Sequence, residues 1–232
     1  DNWYMIEREY RASAPQVVAA RRLRRCTEGT LPGALARTLL LSGRGEVTAE
    51  RFGIFLKGFQ SVTVLRRAEL CLLPAYLSAA VIESVAGVCR EMRYASETED
   101  YAKRLEALFG TLRLFAVLDT EKLVNAADVT GGILARDPAG EYARMDAGTK
   151  LDYLRRVEAL ARREGVEEHV YARRLVKRAA QDKRHIGFYL FPARGQQAAA
   201  WYIGANVLTA LFMTLLLAFM FQNAAAALLL LL

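Results

Sequence analysis

The charge of this 232-residue chain stops at one point. Arg194 is the last charged residue, and Gly195 to Leu232 contains no Lys, Arg, Asp or Glu. Everything ahead of it is dense in charge, so the chain divides into a part suited to water and a part suited to lipid. Ala198 to Phe221 is an unbroken, largely apolar run that includes Trp201, Tyr202, Ile203 and Leu208 through Phe221. At about 1.5 Å per residue, roughly 20 residues cross a bilayer core of about 30 Å. The pattern predicts a transmembrane helix over 195–223. Secretory signals lie at the N-terminus and have shorter apolar stretches, so that alternative fails. Residues 224–232 run from alanines into leucines, a low-complexity apolar tail that either begins a second span or carries no signal of its own.

The 194 residues ahead of the boundary suffice for one sizeable domain or two small ones with an apolar core. They carry the whole formal charge of +7, since the tail has none. Between Arg155 and Arg184 ten Lys/Arg face five acids, a surplus next to the predicted span. The positive-inside rule then puts the N-terminal part in the cytoplasm. Such a basic stretch also suits nucleic acid, but no groove-reading motif or aromatic stacking platform accompanies it, so none is expected. A solvated helix face near anionic head groups accounts for the charge. Cys26, Cys71 and Cys89 lack C-x-x-C spacing, which fits a reducing compartment. Cys71 and Cys89, set among apolar residues, read as small core side chains. The chain starts without Met inside a helical pattern and reads as a segment of something longer.

Nearly every periodic stretch has helical spacing. Tyr101, Leu105, Leu108, Phe109, Leu112 and Phe115 form one apolar stripe; Leu77, Val81, Val85 and Val88 form a second; Leu151, Leu154, Val157 and Leu160 a third; Tyr171, Leu175 and Ala179 a fourth. Thr48, Asp119 and Asp146 suit N-caps, and Gly165 suits a helix end. Pro15 and Pro32 fit first helical turns, whereas Pro74 either kinks a long helix or starts another. Gly131-Gly132 reads as a junction between short helices. Only His185 to Phe191 reads as extended, ahead of Pro192. The expected fold is all-α: a domain of eight to ten helices over 1–194, followed by a transmembrane helix.

Chemical motifs are sparse. His169 and His185 lie in basic surroundings without ligand spacing, so surface or packing roles are expected and no metal. No G-x-S-x-G elbow, Walker loop, G-x-G-x-x-G turn or D-x-D pair occurs. Acid–base work on a glycosidic bond needs two converging carboxyls. Glu69, Glu83, Asp137 and Asp146 are the candidates, each with a plainer reading. Glu69 opens a helix, Glu83 pairs with an arginine such as Arg113 or Arg144, Asp137 precedes Pro138 at a turn, and Asp146 caps a helix.

One segment is more specific. Asp137-Pro138-Ala139-Gly140-Glu141-Tyr142-Ala143-Arg144-Met145-Asp146, with Thr149-Lys150 and Tyr153, resembles the DPAGxYxRMDxxTRxxYR signature in the N-terminal region of cyclic β-1,2-glucan synthases. Asp1 to Glu7 is similar to the family's DNxYxIEE helix. Gln60 to Thr63, Glu69-Leu70, Leu73-Pro74 and Ile82-Glu83 are similar to QxVxPLTxGELWALPxMLRxxLIE. His185 to Leu190 is similar to HVGYYLI, just ahead of the first membrane helices. Cys71 stands where the family has Trp, Lys150 where it has Arg, and Leu154 where it has Arg.

The resemblance implies a large multi-pass enzyme of the bacterial inner membrane. It would transfer glucose from UDP-glucose, with a divalent ion such as Mg, into a β-1,2-glucan that is then cyclised. Its transferase and phosphorylase-like domains would follow this segment and be its partners, with the lipid bilayer. The family's D-x-D and Q-x-x-R-W motifs have no counterpart here, so the resemblance assigns no catalytic, cofactor or metal residue to these 232 positions. Asp137, Pro138, Gly140, Tyr142, Arg144, Met145, Asp146, Tyr153, Glu69, Pro74 and Glu83 are structural or docking residues, with Arg144 expected to pair with an acid and lock the turn after Pro138. The rival readings are a membrane-anchored helical adaptor for a partner protein or acidic lipid, and a tethered nucleic-acid-binding domain.

Overall fold

The computed structural model describes residues 2–21, 23–94, 99–191, 202 and 204–214. Among these the fold is all-α apart from one minimal hairpin, β1 (Arg25–Cys26) paired antiparallel with β2 (Gly29–Thr30). The helices are α1 (Asn2–Ala19), α2 (Leu31–Ser42), α3 (Ala49–Val62), α4 (Arg67–Met92), α5 (Glu99–Val117), α6 (Thr120–Ala127), α7 (Val129–Leu134), α8 (Glu141–Arg144), α9 (Ala147–Glu164), α10 (Glu168–Asp182) and α11 (Gly187–Leu190). An apolar helix over Gly204–Thr214 follows. These exceed the expected eight to ten because α8 and α11 are single turns, too short for periodicity to register.

The local signals explain most boundaries. Thr48, Asp119 and Asp146 each accept a hydrogen bond from the backbone N–H three residues on, satisfying amides that a helix start leaves free. Gly165 ends α9 in the left-handed region at φ 69°, which glycine adopts without cost. Pro32 lies in the first turn of α2. Pro15 instead lies well inside α1, and Pro74 inside an unbroken α4. The Gly131-Gly132 pair is likewise no junction but part of α7. The break falls at Asp128, whose carboxylate caps α7 through the Gly131 amide.

Two apolar cores result. The first is built around α4, which packs against α1, α2 and α5 and buries Leu70, Leu73, Leu77, Val81, Val85 and Val88. Spacings of three and four put these side chains on one stripe of the helix. Among the described residues α4 alone is long and apolar enough to cross a membrane, and its burial in this core accounts for that composition. Cys71 and Cys89 fall outside the stripe and are exposed, contrary to the expectation of core thiols. The second core joins α7 to α11 around Leu134, Tyr142, Leu154, Val157, Ala172, Leu175, Ala179, Ile186 and Leu190.

The predicted span over 195–223 lies largely outside the described residues, as does the 224–232 tail. The part described, Gly204–Thr214, is helical and exposed throughout. Its Val207, Leu208, Leu211, Phe212 and Met213 are large apolar side chains left exposed.

A polar seam joins the two cores at the start of α4. Arg66 pairs with Glu167 at 2.8 Å, Arg67 with Asp128 at 2.6 Å, and the Arg67 amide donates to Glu168 at 3.0 Å. Behind it sits Glu69, whose side chain is fully buried. Its carboxylate accepts from the Arg24 guanidinium at 2.5–3.1 Å and from the Arg24 and Arg66 amides at 3.0 Å each. Burial alone would raise this carboxyl. The Arg24 contacts and the two amides outweigh it and hold Glu69 below the ordinary carboxylate range. Glu69 therefore opens α4, as its position suggests, and also anchors the hairpin strand.

Candidate functional site: a carboxylate, an imidazole and a phenol in series

Asp137 begins a four-residue turn. Asp at the first position and Pro at the second favour such turns, and the Gly140 amide returns a hydrogen bond to the Asp137 carbonyl at 2.9 Å. Gly140 takes φ 66°, a conformation that costs a β-carbon-bearing residue more. The turn aims the Asp137 side chain inward, where it is fully buried. One carboxylate oxygen accepts from the Glu141 amide at 3.2 Å and from the Tyr142 amide at 3.5 Å, starting α8. The same oxygen lies 2.6 Å from His185 Nδ1, while the other accepts from the Ile186 amide at 3.2 Å. On the far side of the imidazole, Nε2 and the Tyr153 hydroxyl are 2.9 Å apart.

The direction of this chain follows from its chemistry. An ionised carboxylate only accepts, so His185 Nδ1 carries the proton toward Asp137. Nε2 of a neutral ring then accepts from the Tyr153 hydroxyl. Burial tends to raise the Asp137 carboxyl, but the His185 bond and the Ile186 and Tyr142 amides prevail and keep it below its usual range. Burial pushes the Tyr153 phenol up, and the nearby charges of Glu141 and Asp137 add to this.

Carboxylate, imidazole and hydroxyl in series is also the order found where a hydroxyl is activated as a nucleophile. Here that use is disfavoured. The phenol is held protonated rather than released, and Gly187 closes over it, since a β-carbon there would meet the Tyr153 oxygen at 2.4 Å and the His185 ring at 2.8 Å. Phe191 covers the phenol ring edge-on at 5.0 Å, and Tyr142 lies at 5.7 Å. The arrangement is a clamp. It binds α11 to the turn before α8 and to α9, assisted by Arg156 Nε donating to the Leu190 carbonyl at 2.9 Å.

The clamp corrects several expectations. His185 is neither a surface residue nor a plain packing residue, but the centre of the polar network. His185 to Phe191 is not extended. Gly187 to Leu190 forms a helical turn because Ile186 and Leu190, four residues apart, both reach the second core with no exposure. Among the described residues Arg144 pairs with no acid, its Nε donating weakly to the Gly140 carbonyl at 3.4 Å. Glu83 is exposed and pairs with neither Arg113 nor Arg144. Glu69, Glu83, Asp137 and Asp146 therefore do not converge, each lying in a separate environment. Asp146 caps α9 as expected, accepting from the Thr149 amide at 2.9 Å and its hydroxyl at 2.6 Å. Pro138 occupies the exposed second turn position, and Met145 packs against the second core.

Beside the clamp, a cleft of about 730 Å³ is lined by Arg67, Asp128, Gly132, Tyr142, Lys150 and Leu151, among others. Tyr142 is 3 % exposed, and its phenol is pushed up to about 12 by burial, with Asp128 adding to the shift. Among the described residues no group of three His, Cys, Asp or Glu side chains is placed to hold a metal ion. Comparisons with protein-family models, curated proteins and solved structures returned no match.

Proposed function

We propose that this chain is the cytosolic helical N-terminal region, with the first membrane segment, of a cyclic β-1,2-glucan synthase-like enzyme. In that enzyme glucose passes from UDP-glucose to a growing β-1,2-glucan in the bacterial inner membrane. The present segment has a scaffolding role: it fixes the chain where it leaves the aqueous domain for the membrane part. The observation that carries this reading is a convergence. Asp137 and Tyr153 belong to one piece of the family-like sequence and the His185–Gly187 stretch to another, and the two pieces meet in one hydrogen-bonded clamp. Residues matched for the family thus coincide with residues the fold depends on.

The test is glucose transfer by membranes containing the full-length protein. Membranes supplied with UDP-glucose are expected to form β-1,2-linked glucan; folded, membrane-inserted protein that forms none refutes the proposal. Arg144→Ala separates scaffolding from docking. Arg144 is exposed and among the described residues makes the weak Gly140 contact alone, so scaffolding predicts unchanged transfer. Loss of transfer with the fold intact would place docking to the catalytic domains at this motif.

A further inference from the structure

We infer that the outer face of α10, with the aromatic turn that follows, binds the head groups of anionic phospholipids. Arg173, Arg174, Lys177 and Arg178 are all exposed on α10, and Lys183 and Arg184 extend the set past its end. The carboxylates of the same stretch are engaged elsewhere. Glu167 pairs with Arg66, Glu168 is buried against the Arg67 amide, and Asp182 accepts from the Tyr189 hydroxyl. Only Asp182 keeps its charge on this face, since the hydroxyl it accepts from is neutral, and six cations against that one acid leave a positive field.

A second observation gives the field a location. Phe188, within α11, and Phe191, just after it, are 57 % and 46 % exposed although Gly187 and Leu190 of the same turn are buried. The Arg184 guanidinium lies over the Phe188 ring at 4.4 Å, and Arg178 over Tyr189 at 5.0 Å. Aromatic rings beside cations suit the boundary between head groups and acyl chains, where rings partition and cations meet phosphates. The aromatic turn ends at Phe191, four positions before the uncharged stretch begins at Gly195. Single-stranded nucleic acid offers phosphates and bases that stack on such rings, but it gives no reason for an uncharged apolar stretch next to them. The inference extends the reading of residues 195–223 as a membrane span and is tested apart from it.

The full chain is mixed with phosphatidylcholine vesicles, and with vesicles containing about 30 % phosphatidylglycerol, and floated on a gradient. Flotation with neutral vesicles reports the span alone. If the chain inserts, hydrogen exchange of residues 173–191 in nanodiscs of the two compositions reads the basic face. Slower exchange is expected only with phosphatidylglycerol, reversed by about 0.5 M salt and absent in the fourfold variant R173E/R174E/K177E/R178E. If the chain does not insert, the span reading fails and anionic vesicles read the face directly. Partition should then fall about fivefold for each cation neutralised. Equal behaviour with neutral and anionic lipid, or a fourfold variant indistinguishable from the parent, overturns the inference. So does salt-sensitive binding of duplex DNA without any response to phosphatidylglycerol.

Discussion

Gly187→Ala tests the clamp at its tightest point. The backbone there is helical, so alanine meets no φ penalty, and helix propensity alone would favour it by up to about 1 kcal/mol. Against this stands space. The new methyl would lie 2.4 Å from the Tyr153 oxygen and 2.8 Å from His185 Cδ2 and Nε2, well inside contact distance. Neither neighbour can yield freely, because His185 is held by Asp137 at 2.6 Å and Tyr153 is packed against Phe191. Overpacking costs about 1–3 kcal/mol. Displacing the phenol also breaks its bond to Nε2, leaving partly buried groups unpaired at about 1–3 kcal/mol. After the propensity gain, a net loss of about 2 kcal/mol is expected. Thermal unfolding of the full chain in detergent micelles, followed by circular dichroism, measures it. At about 2–4 °C per kcal/mol for a domain of this size, the midpoint should fall by roughly 4–8 °C. Tyr153→Phe removes the oxygen that the methyl strikes, so Gly187→Ala should cost less in that background, with a coupling of about 1 kcal/mol. A Gly187→Ala protein as stable as the parent, or strict additivity with Tyr153→Phe, would refute the clamp.

Two further outcomes follow from the buried acids. Glu69→Ala strands the Arg24 guanidinium and the Arg24 and Arg66 amides and should cost about 3–5 kcal/mol, while Arg24→Met with Glu69→Leu recovers the part due to the guanidinium and leaves that of the two amides; urea unfolding of both tests this. Asp137 and Glu69 sit below their ordinary ranges in the folded state, so their contribution is present above the unfolded carboxyl values of about 4 and is lost as pH falls through the lower folded values. Asp137→Asn should therefore melt lower than the parent at pH 7 and fall less steeply on acidification toward pH 3; parallel curves would show that the carboxylate contributes nothing.

The parts of this fold that are legible in the sequence are those whose cause is local. The stripe Leu77, Val81, Val85 and Val88 and the caps Thr48, Asp119 and Asp146 concern residues within one or two helical turns, and the structure has them as read. The clamp is not local. Asp137 before Pro138 reads as a turn residue, and it is one, but its main partner lies 48 positions away. Glu69 likewise finds Arg24 across 45 positions. Periodicity has no access to such pairs, and it misreads His185 to Phe191 because seven mostly bulky residues satisfy strand and helix alike. The close approach at Gly187 was the missing signal: a lone glycine inside an apolar run, with a histidine two positions before it. Cys71 and Cys89 misled for the opposite reason, since apolar neighbours in sequence do not fix which side of a helix a residue takes.

Ile186 and Leu190 belong to the second core, yet they stand only a few positions ahead of the uncharged stretch that begins at Gly195. A chain made from its N-terminus can assemble α1 to α6 early, since among the described residues the first core draws nothing from beyond Ala127. The second core must wait. Until residue 190 has left the ribosome, Leu134, Val157 and Leu175 lack two of their neighbours, and Asp137 lacks its histidine. Completion of the domain is thereby timed to the moment when the uncharged segment begins to emerge, so the order of synthesis delivers the tail from a body that is just closing behind it.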